Sequence, residues 1–378
     1  MKVAVPREVA AGERRVALIP AEVQKLAKLG VEVAMQAGAG ATCFHTDEAY
    51  RAAGATVVED KGGLLAEANL LLKVQPPTLE EVDALPEGAA VVSLFQPLES
   101  RELLARYTAR HLSGFALEYI PRTTLAQAMD VLSSQATVAG YKAVLMAADR
   151  LPQFFPMLMT AAGMIQPATC LVIGAGVAGL QAIATARRLG AVVEVSDVRK
   201  AAKEEALSLG ATFLEVDAEV DAATTGGYAK EVSEAYKQKQ QALLAAHAQR
   251  ANLIITTALI FGRPAPKIVS EAMVAGMAPG SVIVDLAAER GGNCTLTVPG
   301  EEVERHGVRI VGYTDLPSRL AVHASQMWSR NMLNLLKHLT HDGAFKFDLH
   351  DEITRGCLIT HGGEVVQESV SAALAGEA

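Results

Sequence analysis

Leu171-Val172-Ile173-Gly174-Ala175-Gly176-Val177-Ala178-Gly179 runs from an apolar stretch into a G-x-G-x-x-G turn, and helical spacing follows at Val177, Leu180, Ile183 and Ala184. Strand, turn and helix in that order open a dinucleotide-binding βαβ unit. Gly190 suits the position just past the helix, and Ala191 to Ser196 reads as the second strand, ended by Asp197, 18 residues after Gly179. The glycines differ in what they allow. Gly174 permits the tight turn, Gly176 lets the backbone approach a pyrophosphate, and Gly179 lets the helix pack closely on the strand. Free N–H groups and the dipole at the helix start favour that negative charge. Asp197 is placed to accept hydrogen bonds from both adenosine ribose hydroxyls and to repel a 2′-phosphate. NAD(H) is therefore expected over NADP(H), with Arg199 as the dissenting residue.

Working outward, the first 120 residues alternate apolar runs with helical patterns. Val3 to Val5, Val31 to Met35, Leu70 to Val74, Ala90 to Leu94 and Phe115 to Tyr119 read as strands, and Pro20 and Gly30 bracket a helix. A second βα series starts at Cys170, with strands near Val192 to Val195, Thr212 to Val216, Leu253 to Thr256, Ser281 to Leu286 and Val308 to Val311. The fold class is α/β: two Rossmann-like, doubly wound parallel-sheet domains with a ligand cleft between them. Beyond Tyr313, a helical pattern over Ser325 to Leu339 is expected to return to the first domain. That domain is discontinuous, 1–132 plus 320–378, and the dinucleotide domain is 133–319.

With 378 residues, 50% hydrophobic and 20% charged, the chain can bury two cores. A net charge of -8 and the absence of basic blocks argue against nucleic acid and against a polybasic membrane patch. Cys43, Cys170, Cys294 and Cys357 follow neither a zinc spacing nor a compact disulfide framework, which fits a reducing cytoplasm. The uncharged run from Leu151 to Ala186 is long enough to span a bilayer, but Pro152, Pro156, Pro167 and the glycine turn divide it into loop, strand and helix.

Pro121 to Gln135 concentrates hydrogen-bonding groups near the domain junction. Thr124 and Gln127 have capping-box spacing, and Gln127, Asp130 and Ser134 would share a helical face that is either merely solvated or holds a carboxamide and a ribose. His338 and His341 lack a third ligand, so no metal is expected. No serine lies in a G-x-S-x-G elbow. Lys73 is either a buried substrate lysine or a snorkelling one. Asp285 either faces the ligand crevice or caps the next turn, and Tyr228 beside Gly226 and Gly227 is either a lid tip or a turn residue.

Taken together, several segments resemble the alanine dehydrogenase and nicotinamide nucleotide transhydrogenase family, and within it the NAD(H)-binding domain of proton-translocating transhydrogenases. They are Val3-Ala4-Val5-Pro6-Arg7-Glu8 with Arg15-Val16-Ala17-Leu18, Tyr119-Ile120-Pro121-Arg122 through Gln135, Ala139-Gly140-Tyr141-Lys142-Ala143, and Gly226-Gly227-Tyr228-Ala229-Lys230-Glu231. The resemblance covers nearly the whole chain. It implies a mobile loop around Tyr228 and an Arg-Gln-Asp loop of Arg122, Gln127 and Asp130, with Ser133 beside it. It also implies nucleotide contacts at Gly174, Gly176, Val177, Gly179, Asp197, Val198, Arg199, Gly227, Tyr228 and Leu259.

The alanine dehydrogenase branch uses a lysine, a histidine and an aspartate. Lys73 and Arg15 match that branch, but its histidine is Gln96 here and its aspartate is Glu289. Glutamine cannot accept and return a proton near neutral pH, which counts against acid–base turnover of an amino acid. The transhydrogenase branch needs no such group. It implies hydride transfer from NADH bound here to NADP+ on the NADP(H)-binding domain of a beta subunit, with separate membrane-spanning subunits, a homodimer, and a cytoplasmic, membrane-peripheral location without insertion of this chain. A non-catalytic NAD-binding module is the remaining alternative.

Overall fold

The computed structural model describes residues 1–199, 201–215, 234–260, 262–341, 344–345 and 348–376. The chain divides into two compact units, Met1–Gln135 with Ser318–Ala378, and Ala136–Pro317. In the first, β1 (Lys2–Val5), β2 (Glu32–Gln36), β3 (Thr56–Val58), β4 (Leu70–Leu72), β5 (Ala90–Ser93) and β6 (Ser113–Ala116) lie parallel in the order β3-β2-β1-β4-β5-β6. This is a doubly wound order, whose direction of growth reverses between β1 and β4. Side-chain alternation sends Val3, Val33, Leu70 and Val92 into one core and Ala4, Ala34, Leu71 and Val91 into another. Both faces are apolar because helices cover both.

Two details differ from the periodicity. Thr56–Val58 adds a short edge strand that its three residues do not announce. The strand expected to reach Tyr119 stops at Ala116, and Leu117–Tyr119 forms a 3₁₀ turn. Glu118 turns back there, and its carboxylate accepts the backbone N–H groups of Phe95 at 3.0 Å and Gln96 at 2.5 Å.

The second unit starts at Ala136 within helix Val131–Arg150, and a hairpin follows, β7 (Leu158–Thr160) and β8 (Gly163–Ile165). Then come β9 (Thr169–Ile173), β10 (Val192–Ser196), β11 (Thr212–Phe213), β12 (Leu253–Thr256), β13 (Val282–Asp285), β14 (Glu302–Arg305) and β15 (Val308–Val311). Their order is β11-β10-β9-β12-β13-β15-β14, with only β14 antiparallel. The six parallel strands repeat the doubly wound order. β14 is not among the strands that the apolar runs announce, because an edge strand need not be apolar. Helix Val177–Arg188 seats Ala182, Ile183 and Ala186 in one core of this unit.

The chain then returns to the first unit. Helix Ala321–Leu339 buries Trp328, Met332, Leu335 and Leu336 in that unit's larger core, while Ser325 and Ser329, one turn apart, accept the N–H groups of Val16 and Ile19. Two short strands, β16 (Thr340–His341) and β17 (Ala344–Phe345), pair with each other. Two more, β18 (Leu358–His361) and β19 (Glu364–Val365), extend the first sheet beyond β6 in antiparallel sense. Among the described residues no helix is long and apolar enough to cross a membrane.

A Cβ placed on Gly179 would stand 1.9 Å from the Gly174 carbonyl oxygen, a backbone atom fixed by the turn. Gly179→Ala is therefore expected to lose about 1–3 kcal/mol of stability through overpacking, read as a lower urea midpoint. An unchanged midpoint would contradict this close approach.

Candidate functional site

The glycine turn leaves β9 at the point where the second sheet reverses, which is where doubly wound folds hold ligands. Gly174 has φ +96, a left-handed conformation, and a Cβ there would meet Thr257 Oγ1 at 2.6 Å. Gly176 is the N-cap of helix Val177–Arg188 in extended backbone, and a Cβ on it would meet nothing within 4 Å. No side chain caps this helix and no acid sits in its first turn, so its start suits an anionic group. Val177, the first helical residue, and Leu259, in the loop after β12, are each 39% exposed. A third close approach comes from Gly140, where a Cβ would stand 2.1 Å from the Ala178 carbonyl oxygen. That contact gives a physical reason for glycine in the Ala139-Gly140-Tyr141 segment.

Asp197 reaches from the end of β10 to this turn. Its Oδ2 accepts the Ala175 N–H at 2.7 Å and pairs with Arg199 Nη2 at 2.8 Å, while its Oδ1 accepts Arg199 N–H and Nε–H at 2.8 and 3.0 Å. The spacing in sequence thus becomes a direct bond between second strand and glycine turn. Arg199 is turned onto Asp197, and Val198 between them is half-buried. Thr257, which no sequence motif singles out, donates through Oγ1 to the Gly174 carbonyl at 3.0 Å. The one signal for it is its place directly after β12, beside the reversal. Gly227 and Tyr228 lie outside the described residues.

Arg122, Gln127, Asp130 and Ser133 belong to the first unit. Their loop is pinned by buried Ala126 and Met129 and by Ala128, whose carbonyl accepts Asn331 Nδ2 at 2.9 Å and Asn334 Nδ2 at 3.1 Å. Arg122, Leu125 and Gln127 are exposed on it. No helix starts at Thr124; Gln127–Met129 is a 3₁₀ turn and the long helix is Val131–Arg150. Asp130 caps that helix, accepting Ser133 N–H at 2.9 Å and Ser133 Oγ–H at 2.6 Å. The structure thereby joins Asp130 to Ser133 rather than to Gln127 on a helical face.

The reversal point of the first sheet carries charge. Lys73, 1% exposed, directs Nζ to Glu81 at 2.8 Å and lies 3.7 Å from Glu8. Arg15 is held by Glu13 at 2.6 Å and by Gln135 Oε1 at 3.0 Å. Neither cation is a bare substrate ligand. Gln96 has φ 50, and Glu289 is exposed in a 3₁₀ turn. Asp285 is saturated internally by Thr256, Ala287, Cys294 and Thr297, so it caps its turn and does not face a crevice. His338 pairs with Asp351 at 2.7 Å, and among the described residues no group of three His, Cys, Asp or Glu could hold a metal ion.

Residues 4–139 match the family model described as alanine dehydrogenase/PNT, N-terminal domain, and residues 143–368 match alanine dehydrogenase/PNT, C-terminal domain. In Rhodospirillum rubrum the first part of NAD(P) transhydrogenase subunit alpha is 46% identical over 380 residues, covering 98% of this chain and 99% of that one. A solved transhydrogenase from Sinorhizobium meliloti superposes with a TM-score of 0.86 at 41% identity, covering 98% of this chain and all of that one (100%). Alanine dehydrogenase of Mycobacterium tuberculosis is 33% identical over 295 residues, 77% of this chain and 74% of that one.

Burial pushes the Glu8 carboxyl up to about 7 from 4.5, opposed by the charge of Lys73 and the Val74 N–H. The folded chain then keeps a proton that the unfolded chain has lost. Stability from this group is present below 4.5 and is lost as pH rises toward about 7. Glu8→Gln stays neutral, so its urea midpoint should lack the part of the wild-type decline that falls between about 4.5 and about 7. Parallel midpoints for the two chains would exclude this behaviour.

Proposed function

The chain belongs to the alanine dehydrogenase/PNT family, and from that premise we propose that it is the NAD(H)-binding component of an NAD(P) transhydrogenase. NADH binds at the β9 glycine turn, its pyrophosphate at the start of helix Val177–Arg188 and its adenosine ribose at Asp197. Hydride passes directly from C4 of its nicotinamide to C4 of NADP+ held on the NADP(H)-binding domain of a beta subunit. Membrane-spanning subunits couple the exchange to proton movement, so the chain works as a peripheral cytoplasmic component. The observation that carries the reading is the match to a transhydrogenase alpha chain along 98% of this one.

The chemistry asks for position more than for acid or base. No substrate proton changes hands in a hydride step between two nicotinamides, and fixing both rings can supply ~7–11 kcal/mol of the barrier. Gln127 and Arg122 fit such a role, because their loop is pinned from below while both side chains stay exposed. Asp130 and Ser133 hold the end of that loop through the helix cap. Alanine dehydrogenation fits the chain less well: Gln96 offers no titrating group, and Lys73 is already paired with Glu81 at 2.8 Å.

A homodimer is part of the proposal. Hairpin β7–β8 and its approach carry Phe154, Met157, Met159, Met164 and Ile165, all 40–73% exposed, an apolar patch suited to a second copy. Met159→Asp is expected to shift the chain from dimer to monomer in sedimentation equilibrium. A wild-type chain that sediments as a monomer would remove this element of the reading.

The central test is hydride exchange between labelled NADH and an NADP+ analogue, with and without the NADP(H)-binding partner, beside an alanine–pyruvate assay. Exchange that needs the partner, with no pyruvate reduction, is the expected result. Gln127→Asn should slow exchange by about 100-fold while NADH affinity changes little. Robust pyruvate turnover by the isolated chain would instead assign it to the alanine dehydrogenases.

A further inference from the structure

We infer that Asn293 is a positioning residue for the nicotinamide half of the nucleotide, an inference that rests on the reading of the β9 turn given above. Asn293 is 0% exposed. Its Oδ1 accepts the Ala258 N–H at 3.0 Å, and its Nδ2 donates to the Ala258 carbonyl at 2.8 Å and to the Pro266 carbonyl at 2.9 Å. Its own carbonyl accepts the N–H groups of Ile268 and Val269 at 2.8 and 3.0 Å. One residue therefore satisfies both backbone groups of Ala258 and grips three later residues, Pro266, Ile268 and Val269, at the far end of a connection that among its described residues has neither a strand nor a helix of its own between Thr256 and Val269.

Asn293 is itself fixed from the sheet. Asp285, at the end of β13, accepts the Cys294 N–H at 3.0 Å and the hydroxyls of Thr256 and Thr297 at 2.8 and 2.6 Å. From Ala258 the path continues into Thr257, whose N–H and Oγ–H bond the carbonyls of Ile173 and Gly174 at 2.8 and 3.0 Å. A continuous set of bonds thus runs from β13 through Asn293 to the glycine turn.

Strand order says which half of the ligand this set serves. A dinucleotide lies across the reversal point of the sheet. Asp197 stands after β10, on one side of β9, and marks the adenosine end. Ala258 and the exposed Leu259 stand after β12, on the other side, where the nicotinamide ribose and ring must lie. Asparagine suits this position because its amide presents an acceptor and two donors in one plane. Aspartate keeps the shape and the acceptor but has no N–H to give Ala258 or Pro266, and it adds a buried charge.

The test compares AMP and NADH binding by calorimetry on full-length wild type, Asn293→Asp and Asn293→Ala, the last burying no charge. Each variant is first checked for a cooperative thermal transition. AMP affinity should stay within about twofold, whereas NADH affinity should fall by about tenfold or more, the effect of losing one or two hydrogen bonds from the supporting loop. Should Asn293→Asp fail to fold, the same split in Asn293→Ala decides. Equal losses for AMP and NADH, or no loss for either, in a folded variant would overturn the role of Asn293 alone. A wild-type chain that binds neither nucleotide would overturn the reading of the glycine turn and this inference with it.

Discussion

Glu13 and Arg15 form a buried ion pair to which both passages of the chain between its units are tied. Gln135, the last residue before the first passage, accepts from Arg15 Nη1 at 3.0 Å, and Ser318, the first after the return, donates from Oγ to Glu13 Oε1 at 2.6 Å. Burial opposes the charge on Glu13, but Arg15, Ser318 and Gln75 together hold its carboxyl down at about 2. Glu13 therefore stays ionised throughout the physiological range. Arg15 also lies 5.4 Å from the centre of the Trp328 ring, which joins the returning helix to the same point. Removing either charge would strand the other in the interior, a far larger cost than losing a surface pair.

Two sheets of one strand order do different work because their reversal points carry different residues. In the second, three glycines bring backbone close to backbone and leave Gly176 facing open space. In the first, at the corresponding ends of β1 and β4, Lys73 is paired with Glu81 at 2.8 Å, and Glu8 lies 3.7 Å from the same ammonium with its carboxyl raised by burial to about 7. A lysine that could serve an amino-acid substrate is there, but it is engaged by its own chain. Fold alone would have suggested two equivalent nucleotide domains; the side chains at the strand ends separate them.

Much of this is legible in the residues and some is not, for reasons that can be stated. Parallel strands buried on both faces declare themselves as apolar runs, so β1, β4, β5, β9, β12 and β13 stand out. Edge and antiparallel strands such as β14, β18 and β19 draw their stability from a neighbour instead of from composition. The link between Asp197 and the glycine turn follows from spacing, because two adjacent parallel strands bring their ends together. The turning of Arg199 onto Asp197 depends on a rotamer, which spacing does not encode. Thr124 and Gln127 match a capping box, yet Asp130 and Ser133 make the cap, since Ala126 and Met129 are buried and hold the intervening stretch as a turn. The Asn293 contacts are invisible in sequence for a simpler reason: they join loops 35 residues apart.

The distribution of sulfur follows from the same burial pattern. All four cysteines are buried, and burial pushes the thiols of Cys170 and Cys357 up to about 12, so almost no thiolate exists to meet an oxidant. Met157, Met159 and Met164, by contrast, stand 50–73% exposed around the hairpin. Until a second copy covers that patch, a peroxide would meet thioethers there before it met a thiol. Each sulfoxide would place a polar, chiral group on an apolar face, and methionine sulfoxide reductases could later restore it.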